Sequence, residues 1–222
     1  MATARSRAPR ARMCAGDRRA QLIDVALDVF SRQGFRGATT KKIAAQAGVT
    51  EAIIFRHFPS KEALYTAVLD SRLRSGERRR RYAELQALME RDDDAAVFGA
   101  MLRTICARYA RDPRFERVVL FAALEGHRDA LAHVSEAGGA QLHAIKSYIA
   151  RRQKAGALTA GEPGTLLLAI NGMAHFYGSV TRIFEMPMSG GSDEAAVAFF
   201  TRVAMHGVSR RNPTTTRKRA NR

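Results

Sequence analysis

Residues 44–65 read "AAQAGVTEAIIFRHFPSKEALY". An Ala-rich helical piece stops at Gly48, restarts after Val49-Thr50, runs about two turns and stops again at Pro59. So short a helix has little apolar face of its own to bury, and isolated helices of that length are marginal in water. Something outside the helix accounts for it. Working outward, caps and stops recur at helical intervals. Asp17 is placed to cap a helix in which Leu22, Ala26, Val29 and Phe30 face inward, with Gly34 as its end. Thr39 or Thr40 caps the next, whose Ile43, Ala44 and Ala47 face inward as far as Gly48. Thr50 caps the short helix, where Ile54 and Phe58 share the inner side, and Ser60 caps a fourth with Leu64, Val68 and Leu69 inside. That fourth pattern, about 61–80, is expected to run on through the solvated basic block Arg78 to Arg81.

The 222 residues are 46% hydrophobic and only 7% aromatic, without Trp, which favours helices over sheets. After "RDDD" (91–94), apolar helical patterns occupy about 95–110, 113–126, 128–155 (with a kink expected at Gly138-Gly139), 164–185 and 193–208. No period-2 strand stands out, so the fold class read here is all-α. The formal net charge of +16 is uneven: residues 1–81 carry 18 basic and 7 acidic side chains, residues 82–209 carry 13 and 14, and residues 210–222 add six basic ones. A neutral body with a basic front end fits a polyanion-binding module joined to a different domain. Cys14 and Cys106 form no CxxC or zinc spacing, so a reduced, cytoplasmic setting and no metal or cofactor are expected. The first 16 residues are Arg-rich but lack the apolar run of a secretory signal, and no stretch approaches the ~18 apolar residues of a membrane span.

Two helices joined by a tight Gly-containing turn, the second one short, form a helix-turn-helix, in which the second helix lies in the DNA major groove. The competing reading is a corner of an ordinary helical bundle, and the basic front end favours DNA. Residues 26–69, "ALDVFSRQGFRGATTKKIAAQAGVTEAIIFRHFPSKEALYTAVL", resemble the DNA-binding domain of the TetR/AcrR family of transcriptional regulators. The resemblance rests on Phe30, Gly34-Phe35, Thr39-Thr40, Ile43-Ala44, Ala47 to Thr50, the aromatic-x-His-Phe at 55–58 and Lys61 to Leu64. It implies a three-helix DNA-binding domain at 17–62, a linking helix at about 61–80, and an effector-binding and dimerisation domain at 82–209. Basic arms at 1–16 and 210–222 are read as disordered.

The resemblance further implies phosphate contacts from Thr39 or Thr40, Lys41, Thr50, His57 and Lys61; hydroxyls, ammonium groups and helix N-termini bind phosphate oxygens and set register. Lys61 in a first helical turn opposes the macrodipole, and a neighbouring phosphate removes that anomaly. Base reading falls to Glu51, Ala52, Ile53, Phe55 and Arg56. Arg56 suits guanine O6 and N7, Glu51 suits cytosine N4, and Ala52 or Ile53 suits thymine methyls. Ile53 is equally a core residue in this reading, and Glu51 equally an acid placed well near a helix N-terminus. Two positions depart from the family pattern. Phe55 stands where Tyr is usual, so a phosphate-binding hydroxyl is lost, while Ala52, at a small or Gly position, keeps close approach possible. The arm residues Arg5, Arg7, Arg10 and Arg12 either enter a minor groove or wrap phosphates, or serve only solubility.

The helix near 164–185 is apolar nearly all round, as is the last one with Phe199, Phe200, Val203 and Val208, and such helices must be covered on every side. The resemblance implies that the last two helices pair with their copies in a homodimer, and hence a palindromic operator. It also implies an effector cavity. Candidate lining residues are Met101, Ile105, Tyr109, Phe121, Leu124, His143, Met173, Phe176 and Tyr177, with Glu125, His127, Asn171 and His175 as polar members. Such a site suits a small lipophilic or aromatic molecule. The expected function is a ligand-released, sequence-specific repressor; a sequence-neutral nucleoid-type binder is the alternative. No enzyme motif (GxSxG, HExxH, P-loop or strand-linked GxGxxG) is present.

Overall fold

A computed structural model describes residues 14–186 and 190–208, and the regular elements among them are helices. The arm and tail readings, with Arg5, Arg7, Arg10, Arg12 and residues 210–222, lie outside the described residues save for 14–16. The described residues divide into two compact units, one of residues 14–72 with 114–131 and the other of 73–113 with 132–186 and 190–208.

The first unit holds α1 (Ala15–Gly37), α2 (Thr40–Ala47), α3 (Glu51–His57), most of α4 (Lys61–Leu73) and α7 (Arg114–Leu124). Cys14, not Asp17, caps α1: its Sγ accepts from Asp17 N–H at 3.3 Å, and Asp17 sits in the first turn, where its charge suits the helix dipole. Gly34 (φ 68°, ψ −177°) breaks the helical path of α1 rather than ending it, and one more turn follows to Gly37. Thr39 caps α2 by accepting from Lys42 N–H at 3.2 Å, and left-handed Gly48 (φ 67°) closes it. Ile54 and Phe58 are buried with Leu22, Ala26, Phe30, Ile43, Leu64 and Val68, so α3 is anchored by one stripe. Each of these side chains other than Ala26 contributes about 1.5–3 kcal/mol on leaving water.

The second unit holds α5 (Gly76–Glu90), α6 (Asp94–Arg111), most of α8 (Arg128–Lys154), α9 (Pro163–Gly178) and α10 (Asp193–Val208). The helix expected at 61–80 is broken at Ser75, whose hydroxyl accepts from Arg78 N–H at 3.2 Å and starts α5 afresh. No kink forms at Gly138-Gly139; α8 is one helix. The apolar 164–185 segment is α9 followed by a π-helical turn, Ser179–Ile183. Phe98, Leu102, Ile105 and Cys106 of α6 centre the core, packed by α9 and α10. Arg152 holds Asp94 at the start of α6 through two bonds of 2.9 Å, and Tyr148 donates to the same carboxylate at 2.5 Å.

The residues 114–131, expected with the effector domain, belong instead to the first unit. Helix α7 is fastened there along α1. Arg114 pairs with Asp24 at 2.9 Å, Arg117 donates to the Ser31 carbonyl at 3.1 Å, and Tyr65 makes a long bond of 3.5 Å to the Val118 carbonyl.

Candidate nucleic-acid interface

Burial of Ile54 and Phe58 leaves Ala52, Phe55 and Arg56 of α3 exposed, with Glu51, Ile53 and His57 half-buried beside them. Phe55 is 47% exposed, so much of its ring is open to a covering surface. Thr39, Lys41 and Thr50 are exposed and Thr40 half-buried. Thr50 starts α3 without capping through its hydroxyl, so that group is left for an outside acceptor. A stacked guanidinium, Arg19, lies 4.8 Å over the Phe58 ring and supports the far end of α3.

Three candidates are already engaged within the protein. Thr40 Oγ1 donates to Glu51 Oε1 at 2.5 Å, joining α2 to the first turn of α3. One Glu51 oxygen is thereby committed, and the other stays available as an acceptor. Lys61 turns inward, donating to the carbonyls of Phe35 (2.9 Å) and Ala38 (3.1 Å) with its Nζ 4.2 Å over the Phe35 ring. Those carbonyls answer the dipole anomaly with no phosphate. His57 Nε2 is buried without a hydrogen-bond partner in the structure.

The expected effector residues do not gather in one place. Met101, Ile105 and Tyr109 are buried on α6, and Met173 packs on the same core. Asn171 and His175 stand four residues apart on α9, and Ser179 follows at the same spacing at the start of the π-helical turn; the sequence reading missed Ser179 although the spacing itself was legible. Tyr109 Oη lies 3.3 Å from both His175 Nδ1 and Ser179 Oγ. A side chain at Gly178 would strike the Tyr109 ring, so the close approach needs glycine. Asn171 Oδ1 is buried and unpaired. Burial, and then the charge of Arg108, hold His175 down to about 4, so it is neutral near pH 7.

The remaining members correct the expectation. Phe121, Leu124, Glu125 and His127 belong to the first unit. Glu125 accepts from the backbone N–H groups of Phe35 (3.0 Å) and Arg36 (3.2 Å), and His127 stacks on Tyr65 and meets the Phe35 ring edge-on. Leu124 is 84% exposed. His143 is exposed, Phe176 faces outward, and Tyr177 donates to Asp193 of α10 at 2.9 Å with its ring against Phe200. Among the described residues, no group of three His, Cys, Asp or Glu side chains could hold a metal ion, and no helix is long and apolar enough to cross a membrane.

Residues 22–68 match the sequence profile described as "Bacterial regulatory proteins, tetR family". The HTH-type transcriptional regulator RutR of Escherichia coli K12 is 50% identical over 48 residues, which span 22% of this chain and 23% of RutR. The HTH-type transcriptional activator FasR of Mycolicibacterium smegmatis is 43% identical over 53 residues, 24% of each chain. The chain thus matches about a quarter of the length of these relatives. Among solved structures, the ketosteroid transcriptional regulator KstR2 of Mycobacterium tuberculosis aligns over 91% of this chain and all of its own, with a TM-score of 0.66 at 16% identity. FadR of Bacillus subtilis, in complex with stearoyl-CoA, aligns over 85% of this chain and 98% of its own, with a TM-score of 0.65 at 15% identity. At those identities the likeness is one of fold.

Proposed function

From the premise that the chain belongs to the TetR family through its helix-turn-helix domain, we propose that it is a sequence-specific DNA-binding transcriptional regulator and not an enzyme. The observation that carries this is the outward face of α3: Ala52, Phe55 and Arg56 stand exposed above the buried Ile54 and Phe58. Thr39, Lys41 and Thr50 flank that face with the hydroxyl and ammonium groups that phosphate oxygens accept from. Arg56 reads a guanine, Ala52 and Ile53 meet thymine methyls, and the uncommitted oxygen of Glu51 accepts from a cytosine. The contacts from Thr39, Lys41 and Thr50 set register on the backbone, while Thr40 holds Glu51 in place.

The protein works as a cytoplasmic homodimer in this reading. Leu168 (73% exposed) and Phe176 (65%) on α9, with Phe199 and Val203 on α10, are large apolar side chains left open to water. Pairing these helices with their copies covers them and places two α3 helices for a palindromic operator. The effector enters the second unit beside Met101, Ile105 and Met173, with its polar end at Asn171, His175 and the Tyr109 hydroxyl. A small lipophilic molecule suits those walls. Repression is released because the effector favours a state whose recognition helices are wrongly spaced, by no more than its differential affinity for the two states.

The test is selection of bound sequences from a random double-stranded DNA pool at near-physiological salt. A palindromic consensus, with roughly 1–3 kcal/mol lost per mismatched base pair, is the expected result. Binding without enrichment, fading uniformly as salt rises, would favour the sequence-neutral reading that the net charge of +16 supports.

A further inference from the structure

The corner between α1 and α2 is gripped from both sides by opposite charges. After Gly34, the backbone N–H groups of Phe35 and Arg36 donate to the Glu125 carboxylate at 3.0 and 3.2 Å. The carbonyls of Phe35 and Ala38 accept from the Lys61 ammonium at 2.9 and 3.1 Å. The Phe35 peptide plane neighbourhood is therefore pinned by an anion on its donor side and a cation on its acceptor side. The Phe35 ring is held as well, with Lys61 Nζ 4.2 Å above it and the Tyr65 and His127 rings edge-on at 5.1 and 4.8 Å. Gly34 is required by this arrangement, since a Cβ there would collide with Glu125 Oε1 and approach Phe121 to 3.0 Å. The corner leads directly into Thr39, which caps α2, and then into Thr40, whose hydroxyl holds Glu51 of α3.

We propose that Lys61 and Glu125 act as a pair of positioning residues for DNA recognition. Together they clamp residues 35–38, so that Thr39, Thr40 and Lys41 are presented in fixed register. Lys61 in this role is no phosphate ligand, and Glu125 is no effector ligand. The proposal rests on the DNA-binding reading for its consequence but not for its geometry. An ammonium fits between two carbonyls and a ring as a compact, three-donor charge. A guanidinium is a wider, planar fork and does not replace it there, although it serves a phosphate at least as well.

The experiment compares the full-length wild type with Lys61→Met, Lys61→Arg and Glu125→Gln. The probe is a 30-base-pair duplex of random sequence, titrated between about 50 and 200 mM NaCl, the range over which phosphate contacts reveal themselves. Amide exchange at Phe35 and Arg36 is measured on the same proteins without DNA. The clamp predicts that Lys61→Met and Lys61→Arg weaken DNA binding alike, several-fold, while the slope of log K against log [salt] stays that of the wild type. It predicts that Glu125→Gln speeds exchange of both amides at least about tenfold, because a neutral amide oxygen is a weaker acceptor than a carboxylate. A slope shallower by about 0.9 in Lys61→Met, restored by Lys61→Arg, would mean a direct phosphate contact and overturn the assignment of Lys61. Unchanged amide exchange in Glu125→Gln would overturn the clamp, and wild-type affinity in every folded variant would overturn its role in DNA binding. A wild-type chain that binds no duplex at all sinks the reading of the preceding subsection, whereas the amide exchange judges the clamp by itself.

Discussion

Replacing Gly34 by Ala attacks the first unit at one backbone position, and its cost divides into two parts that can be separated. Gly34 adopts φ 68° and ψ −177°, a combination that only glycine visits freely. Forcing alanine into it costs about 1–3 kcal/mol. The second part is steric: the new Cβ would occupy the place of Glu125 Oε1, so the carboxylate must withdraw from the Phe35 and Arg36 N–H groups. Losing hydrogen bonds to a charged acceptor costs roughly a further 1.5–3 kcal/mol. The sum, about 2.5–6 kcal/mol, is a large share of the roughly 5–15 kcal/mol by which domains are stable. Urea unfolding at fixed protein concentration measures it, with Gly34→Ala introduced alone and again on top of Glu125→Ala. In the second background the clash with Glu125 is already gone, so Gly34→Ala should cost only the backbone strain and the 3.0 Å approach to Phe121, and the coupling between the two changes should exceed about 1 kcal/mol. Strictly additive effects, or a total cost for Gly34→Ala below about 1 kcal/mol, would refute the reasoning.

Arg56→Ala should relax base preference at one position of each half-site by about 1–3 kcal/mol without unfolding α3, because the side chain is exposed; competition between a selected operator and its single-base variants checks it. A double change of the outward rings, Phe176→Glu with Phe199→Glu, should yield a folded monomer, seen by sedimentation, since both side chains are more than half exposed in one protomer. A dimer of unaltered strength would remove α9 and α10 from the interface. His175 supplies a pH dependence. Its folded pKa, about 4, lies below the ordinary 6.5, so the unfolded chain binds the extra proton between those values. The stability tied to neutral His175 is therefore full above about pH 6.5 and falls as the pH drops toward 4. Urea midpoints at pH 7, 5.5 and 4.5 should show that fall, and His175→Gln should flatten it.

Local signals make much of this protein legible in its sequence. Thr39, Gly48 and Thr50 mark the boundaries of α2 and α3, because caps and left-handed glycines act within one turn of the chain. The inward stripe of Ile43, Ala44, Ala47, Ile54 and Phe58 followed from period alone, and all five are buried. Where two local signals competed, the reading slipped: Cys14 rather than Asp17 caps α1, and Ser75 interrupts an otherwise continuous helical pattern.

The pairing of distant side chains was another matter. Glu125 and His127 read as polar members of an effector site, yet Glu125 binds backbone groups 90 and 89 residues earlier. Lys61 read as a phosphate ligand, yet its ammonium meets carbonyls 26 and 23 residues back. Backbone donors and acceptors are common to every residue, so no side-chain pattern marks where a carboxylate or an ammonium will find them. The sequence by itself determined most of the helices, their inward faces and the exposed face of α3, because these depend on periods and caps a few residues long. Only the tertiary structure decided that α7 packs with α1 and that the α1–α2 corner lies between two opposite charges, because those contacts exist only once segments remote in the chain are brought within hydrogen-bonding distance.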